Sequence, residues 1–194
     1  MHKLKRTDLY SLEQYADQRP AFRDKVMAHK KNRRVALGSH ATLYFEDLLT
    51  IQYQVQEMLR AERIFESAGI NEELEAYNPL IPDGSNWKAT FMLEYDDVNE
   101  RQSALEQLIG IEDRVWVKIA GHPPVYAIAD EDLERDTEEK TSAVHFLRFE
   151  LTSQMIAAAK EGAAIGMGID LPAYQCTLDP LPENIRAALM QDFD

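Results

Sequence analysis

The residues whose types and spacing come nearest to a reactive site are two glutamates, Glu57 and Glu62, and three arginines, Arg33, Arg34 and Arg60. A guanidinium holds a carboxylate or phosphate through paired planar donors, and a carboxyl raised in pKa by partial burial can move a proton near neutrality. The arginines are therefore read as anion-binding, and the two glutamates as acid or base, in a pocket between a long helix and a basic N-terminal segment. The run His29-Lys30-Lys31-Asn32-Arg33-Arg34 supplies the cations. Its plainer reading is a basic strip folded against the acidic remainder of the chain.

Metal chemistry has weaker support. The five histidines occur singly. His40 with Glu46 or Glu57, or His122 with His145 across a sheet, would offer oxygen and imidazole ligands suited to iron, manganese or zinc. No ligand spacing supports either set, so no metal ligands are assigned, and a structural role is the ordinary expectation for each histidine. Glu-x-x-His, His-Glu-x-x-His, Cys-x-x-Cys, the P-loop signature and the G-x-S-x-G elbow are all absent. Gly162, Gly166 and Gly168 do not have dinucleotide-loop spacing and read as turn and close-packing residues. Cys176 has no cationic neighbour in sequence to activate it and reads as an inert thiol.

The chain of 194 residues, 45% hydrophobic and 28% charged, is long enough to bury a core without disulfide or metal support. Charge is uneven: residues 1–40 carry +6 and residues 41–194 carry −19, for a net −13. Such an acidic body opposes binding to nucleic acid or an anionic membrane. No apolar run approaches the ~18 residues of a membrane span, and the basic start lacks the apolar centre of a signal peptide. One cysteine suits a reducing compartment. These features predict a single cytoplasmic domain, helical over about residues 1–80 and sheet-containing over about 88–194.

The pattern predicts a first helix capped at Thr7 and ended by Pro20, a second from Pro20 to Lys31, and an extended piece at Arg33 to Leu37. Residues 44–67 contain neither Gly nor Pro and read as a long helix stopped by Gly69. A short helix at Glu72 to Tyr77 and a Pro-rich loop follow. Ala89 to Tyr95, Arg114 to Ile119, Val125 to Ala129, Ala143 to Leu151 and Ala164 to Ile169 read as strands, with helices at Asp97 to Gly110, at Thr152 to Glu161 and after Pro182. Asp130 to Glu139, seven acids in ten positions, reads as a solvated, mobile connection. The order fits an α+β sandwich with a mostly antiparallel sheet, on which the long amphipathic helix packs.

On the long helix, Leu48, Ile51, Val55, Met58 and Leu59 share one stripe at 100° per residue, and Glu62 falls inside it. A carboxylate there must be paired, protonated or drawn to an edge. Glu46, Thr50, Tyr53 and Glu57 lie opposite, and Glu57 is placed for an i to i+3 contact with Arg60.

The segments KKNRRVALG, FEDLLTIQYQVQEMLRAERI, LEAYNPLIPDG and ATFMLEY, in that order, resemble the bacterial family catalogued as domain of unknown function 3501. The resemblance covers essentially the whole chain and is strongest over residues 30–95. It departs at GIDLPAY, where Leu171 stands in place of a histidine that the family favours. No activity transfers through it. Its implied setting is peroxide stress or electron transfer beside rubrerythrin-like and iron-sulphur redox proteins.

Two function classes result. The first is an accessory or binding protein that docks a redox partner through its charged surfaces and holds no cofactor of its own. The alternative is a small-anion-binding enzyme, metal-dependent in one version, built on Glu57, Glu62 and the arginines; it fails if Glu62 is solvent-exposed or lies far from every Arg and His.

Overall fold

Ser11 and Gln14 form a reciprocal capping box, and from that start one helix, α1, runs from Leu12 to Lys30. The computed structural model, which describes residues 3–194 apart from Glu134 and Glu138, thus places no break at Pro20. Proline removes the hydrogen bond to the carbonyl of Ala16, but both residues are exposed, so water can take that carbonyl. The predicted cap at Thr7 belongs instead to a separate 3-10 turn, Arg6–Asp8.

The predicted helix over 44–67 is shorter at both ends. Tyr44 and Phe45 belong to strand β2 (Ala41–Phe45), which pairs with β1 (Arg34–Leu37) and β3 (Asn86–Leu93). Asp47 accepts the Thr50 amide at 2.9 Å and starts helix α2, Leu48–Ala61. Gly69 does not stop this helix; it lies inside α3, Ser67–Tyr77. Ile51, Val55 and Leu59 are buried as the stripe predicts, whereas Leu48 is partly exposed.

The fold is α+β. Two antiparallel sheets face one another, and helices α4 (Val98–Gln107), α5 (Ser153–Lys160) and α6 (Glu183–Leu189) complete the described α-helices. The larger sheet has the order β1-β2-β3-β7-β6, with β6 Ile128–Ala129 and β7 Val144–Glu150; the smaller has β5-β4-β8-β9. Its strands are β4 Val115–Ile119, β5 Val125–Tyr126, β8 Ile165–Leu171 and β9 Tyr174–Leu178. The predicted strand at 125–129 is divided: β5 pairs with β4, while β6 crosses to β7 in the other sheet.

Period-two alternation sends Leu43, Phe45, Trp87, Phe91, Leu147 and Phe149 from one sheet, and Val115, Val117, Ile165 and Met167 from the other, into a shared core. Burying a large apolar side chain contributes roughly 1.5–3 kcal/mol, so this interior dominates the stability. Gly168 allows the close approach inside the smaller sheet, since a β-carbon there would lie 2.4 Å from the Trp116 ring and the Cys176 carbonyl. Residues 174–178, for which the pattern predicts no element, form the edge strand; the Tyr174 hydroxyl donates to the Leu37 carbonyl at 2.7 Å and ties that edge to the β1–β2 turn.

Candidate metal centre

His145 belongs to the same alternation as Leu147 and Phe149, so β7 points it inward, and none of it is exposed to solvent. A buried imidazole must have partners for both ring nitrogens. Nδ1 lies 2.6 Å from Asp130 Oδ2, and Nε2 lies 2.9 Å from Thr141 Oγ1 and 3.1 Å from the Ser142 carbonyl. Two further carboxylates face Nε2, Glu112 Oε2 at 3.8 Å and Asp136 Oδ1 at 3.9 Å.

Each partner is fixed by its own backbone. Asp130 follows β6 directly; its amide donates to the Phe146 carbonyl at 2.9 Å, and its Oδ1 accepts the Phe146 amide at 3.0 Å and Arg135 at 2.9 Å. That double clasp holds Asp130 at φ 50°, a left-handed conformation that Asp and Asn tolerate better than most residues. Glu112 sits on the 3-10 turn before β4 and is buried. Asp136 accepts the Thr141 hydroxyl at 2.6 Å and the Gly110 amide at 3.2 Å.

The electrostatics push the pKa values of Glu112 and Asp136 apart. Burial, then the adjoining Asp136 carboxylate, pushes the Glu112 carboxyl up to about 7, although His145 opposes the shift. For Asp136, burial also works against charge, but the Thr141 hydroxyl, the Glu112 carboxyl and the Gly110 amide outweigh it and keep its pKa below the ordinary value. Two carboxylates this close need a shared proton or a cation between them. One ligand atom each from Glu112, Asp136 and His145 lie within 4.8 Å of one another, the one such group among the described residues. The Thr141 hydroxyl lies among these three atoms, 2.6 Å from Asp136 Oδ1, 2.9 Å from His145 Nε2 and 3.4 Å from Glu112 Oε2, so an ion with bonds of roughly 2.0–2.2 Å would have to turn that hydroxyl aside and draw the three side chains inward.

The residues singled out from sequence lie elsewhere. Glu57 is bound by Arg19 through two 2.7 Å bonds and by the Tyr15 hydroxyl at 2.5 Å. The Arg19 bonds, with the Tyr15 bond, outweigh burial and lower its pKa, opposite to what a neutral-pH acid requires. Glu62 is exposed because α2 ends at Ala61 and Glu62 is its C-cap. No hydrogen bond or ion pair joins it to an Arg or His among the described residues, which removes the observation that motivated it. Arg33 is almost wholly buried, bonded to Asp192 at 2.5 Å and to the carbonyls of Phe45, Glu46 and Ala188. Arg34 lies over the Tyr44 ring on the sheet surface, and Arg60 is exposed on α2. The five do not converge on one pocket.

His40 stacks on Tyr95 at 4.1 Å, and Glu46 accepts from Thr50 and Thr90, so the predicted His40–Glu46 pairing is not formed. His145 is placed with Glu112 and Asp136 rather than with His122. The acidic run, expected to be solvated, contributes Asp130 and Asp136 to this centre; Glu134 and Glu138 lie outside the described residues.

The family model for a protein of unknown function, DUF3501, matches residues 3–193, and the chain belongs to that family. It is also similar to a crystal structure, at 1.90 Å resolution, of a protein of unknown function from Burkholderia pseudomallei K96243. That likeness has 51% identity and a TM-score of 0.94, and it covers 100% of both chains. No curated protein matches the chain. Among the described residues, no helix is long and apolar enough to cross a membrane.

Proposed function

We propose that this protein binds one divalent transition metal through Glu112, Asp136 and Nε2 of His145, with Asp130 fixing the imidazole from behind. The observation that carries the reading is the convergence of those three ligand atoms within 4.8 Å, around a histidine whose other nitrogen already meets a carboxylate. Carboxylate–histidine–metal relays of this form set the tautomer and raise ligand basicity. Two carboxylates and one imidazole suit iron(II), manganese(II) or zinc(II), and a three-residue set leaves positions for water or a small ligand. The Ser142 carbonyl, 3.1 Å from Nε2, favours a second reading in which Nε2 keeps a proton and the cluster only satisfies a buried imidazolium.

Titration of the chelator-stripped full chain with each of the three metals separates the two. The metal reading expects one equivalent bound, and loss of that binding in Glu112→Gln and Asp136→Asn while both variants keep cooperative thermal unfolding. Failure of all three metals to bind, or binding unchanged in Glu112→Gln, overturns it.

The accessory role belongs to the same proposal as its partner-facing half. An acidic chain of net charge −13 would meet a rubrerythrin-like or iron-sulphur redox protein in the cytoplasm through charge complementarity. Association that weakens steeply with salt supports this half, and no association at low ionic strength removes it.

A further inference from the structure

A cleft of 440 Å³ opens on the larger sheet where the outward side chains of β3 and β7 meet the end of α3, on the side of β7 opposite to His145. Tyr77, Leu80 and Phe146 give it apolar walls, and Lys88, Glu131, Asp132 and Arg148 are its charged lining. Three of these four charges are already matched. Glu131 receives Nε and Nη2 of Arg148 at 2.8 Å each, and Asp132 receives both terminal nitrogens of Arg135 at 2.7 and 2.8 Å. Arg148 additionally meets Glu150 at 2.6 Å.

Lys88 is the exception. It is half-buried, donates to the Pro79 carbonyl at 2.5 Å, and forms no ion pair with a carboxylate among the described residues. An ammonium has three donors, so the ones beyond Pro79 remain for another acceptor. Lys3 adds a second cation behind the same turn, with its Nζ on the Asn78 carbonyl at 2.6 Å. Burial, then repulsion from Lys3, lowers the Lys88 pKa, a shift that an anion placed beside it would oppose. Asp83 and Glu131 attract the ammonium from beyond hydrogen-bond range, so the cleft is an apolar surface with one cation that has no direct carboxylate partner among the described residues, and its volume lies in the ordinary range of small-molecule sites.

We propose that this cleft binds a small organic monocarboxylate with an apolar body, its carboxylate on Lys88 Nζ and its body against Tyr77, Leu80 and Phe146. The small anionic ligand expected from the sequence is thereby assigned to a lysine on β3 rather than to Arg33, Arg34 and Arg60. Nothing in the proposal depends on the metal centre.

The test uses the full chain with a chelator present and two probes of the same shape, 3-phenylpropanoate and 3-phenylpropan-1-ol, followed by calorimetric titration. The acid should bind about tenfold or more tightly than the alcohol, the ratio expected for one charge-assisted hydrogen bond. Lys88→Met should bring the acid down to the level of the alcohol and leave the alcohol unchanged, Lys88→Arg should keep most of the preference, and Lys118→Met, on the other sheet, should have no effect. Equal affinities for the two probes, no saturation by the acid up to about 10 mM, or equal losses in Lys88→Met and Lys118→Met overturn the proposal. Should Lys88→Met unfold, Lys88→Gln gives the same comparison.

Discussion

Replacing Asp130 by Asn removes one charge from behind His145 and leaves the shape of the side chain almost unchanged. The two oxygens of Asp130 receive three donors: Nδ1 of His145 at 2.6 Å, the Phe146 amide at 3.0 Å and Arg135 at 2.9 Å. Asn has one acceptor oxygen and one amino group. Whichever way its amide is turned, either the imidazole N–H or the Phe146 and Arg135 pair faces another N–H. The backbone gives no competing effect, because Asn tolerates φ near 50° at least as well as Asp. Loss of an outer carboxylate of this type lowers metal affinity about 10- to 100-fold, which is about 1.4–2.7 kcal/mol. Zinc competition against a chromophoric chelator at neutral pH measures that ratio, with Glu112→Gln as the variant that loses a direct ligand and falls further. If Asp130→Asn binds zinc as tightly as the native chain while Glu112→Gln does not, Asp130 does not tune His145 and the relay argument is wrong.

Arg33→Met should destabilise the protein by roughly 3–5 kcal/mol near neutral pH, because the buried Asp192 carboxyl loses its counter-ion and must take up a proton while the carbonyls of Phe45, Glu46 and Ala188 lose a donor; urea midpoints measure it, and Arg33→Met with Asp192→Leu should recover much of the loss. Burial, although opposed by Arg33, pushes the Asp192 carboxyl up to about 6. Its contribution to stability is therefore complete below the unfolded value of 3.8 and lost as pH rises through about 6, so the Arg33→Met penalty should grow between pH 4 and 7 in the same denaturation series. Glu57→Gln has the opposite sign: the Glu57 pKa is depressed, so its contribution is present above 4.5 and disappears as pH falls through the folded value, and the native and variant urea midpoints should converge in acid. Gly168→Ala should cost more than the ~1 kcal/mol of an average substitution, since its β-carbon meets Trp116 and a backbone carbonyl; thermal unfolding compared with Gly121→Ala, where φ is positive but a β-carbon touches nothing within 4 Å, separates the packing cost from backbone strain.

The strands that build the core were readable because period-two alternation fixes which face is buried. Residues 114–119 and 143–151 show it plainly, and both became strands with the expected inward sets. The helix boundaries were less legible. Residues 44–67 lack breakers, yet Tyr44 and Phe45 pair with Thr90 and Ala89, and strand pairing outweighs local helix preference. Likewise the apolar stripe continues arithmetically to Glu62, but the helix stops before that position, so extrapolating a period beyond a helix end puts a solvent residue on a core face.

Part of the candidate metal centre could have been inferred from residues already in view. Alternation puts His145 inward with Leu147 and Phe149, and an inward imidazole needs polar partners from somewhere. The hairpin partner of β7 runs antiparallel, with Ala129 opposite Leu147, so the next residue, Asp130, falls beside Phe146; continued alternation would leave it on the outward face of Phe146, and the left-handed turn at φ 50° brings its carboxylate to His145 instead. Register thus keeps the first acid of the run beside β7, whatever the composition of the run suggested about solvation, and the turn at Asp130 selects the face. Composition averages over residues, whereas pairing fixes them one at a time. Glu112 and Asp136 are different: their approach depends on a 3-10 turn and on Thr141 and Gly110 holding one loop, contacts that no period in the sequence encodes. If the cluster holds the proposed metal, Thr141→Val should alter its affinity through the position of Asp136 in the same zinc competition, although Thr141 offers neither a carboxylate nor an imidazole.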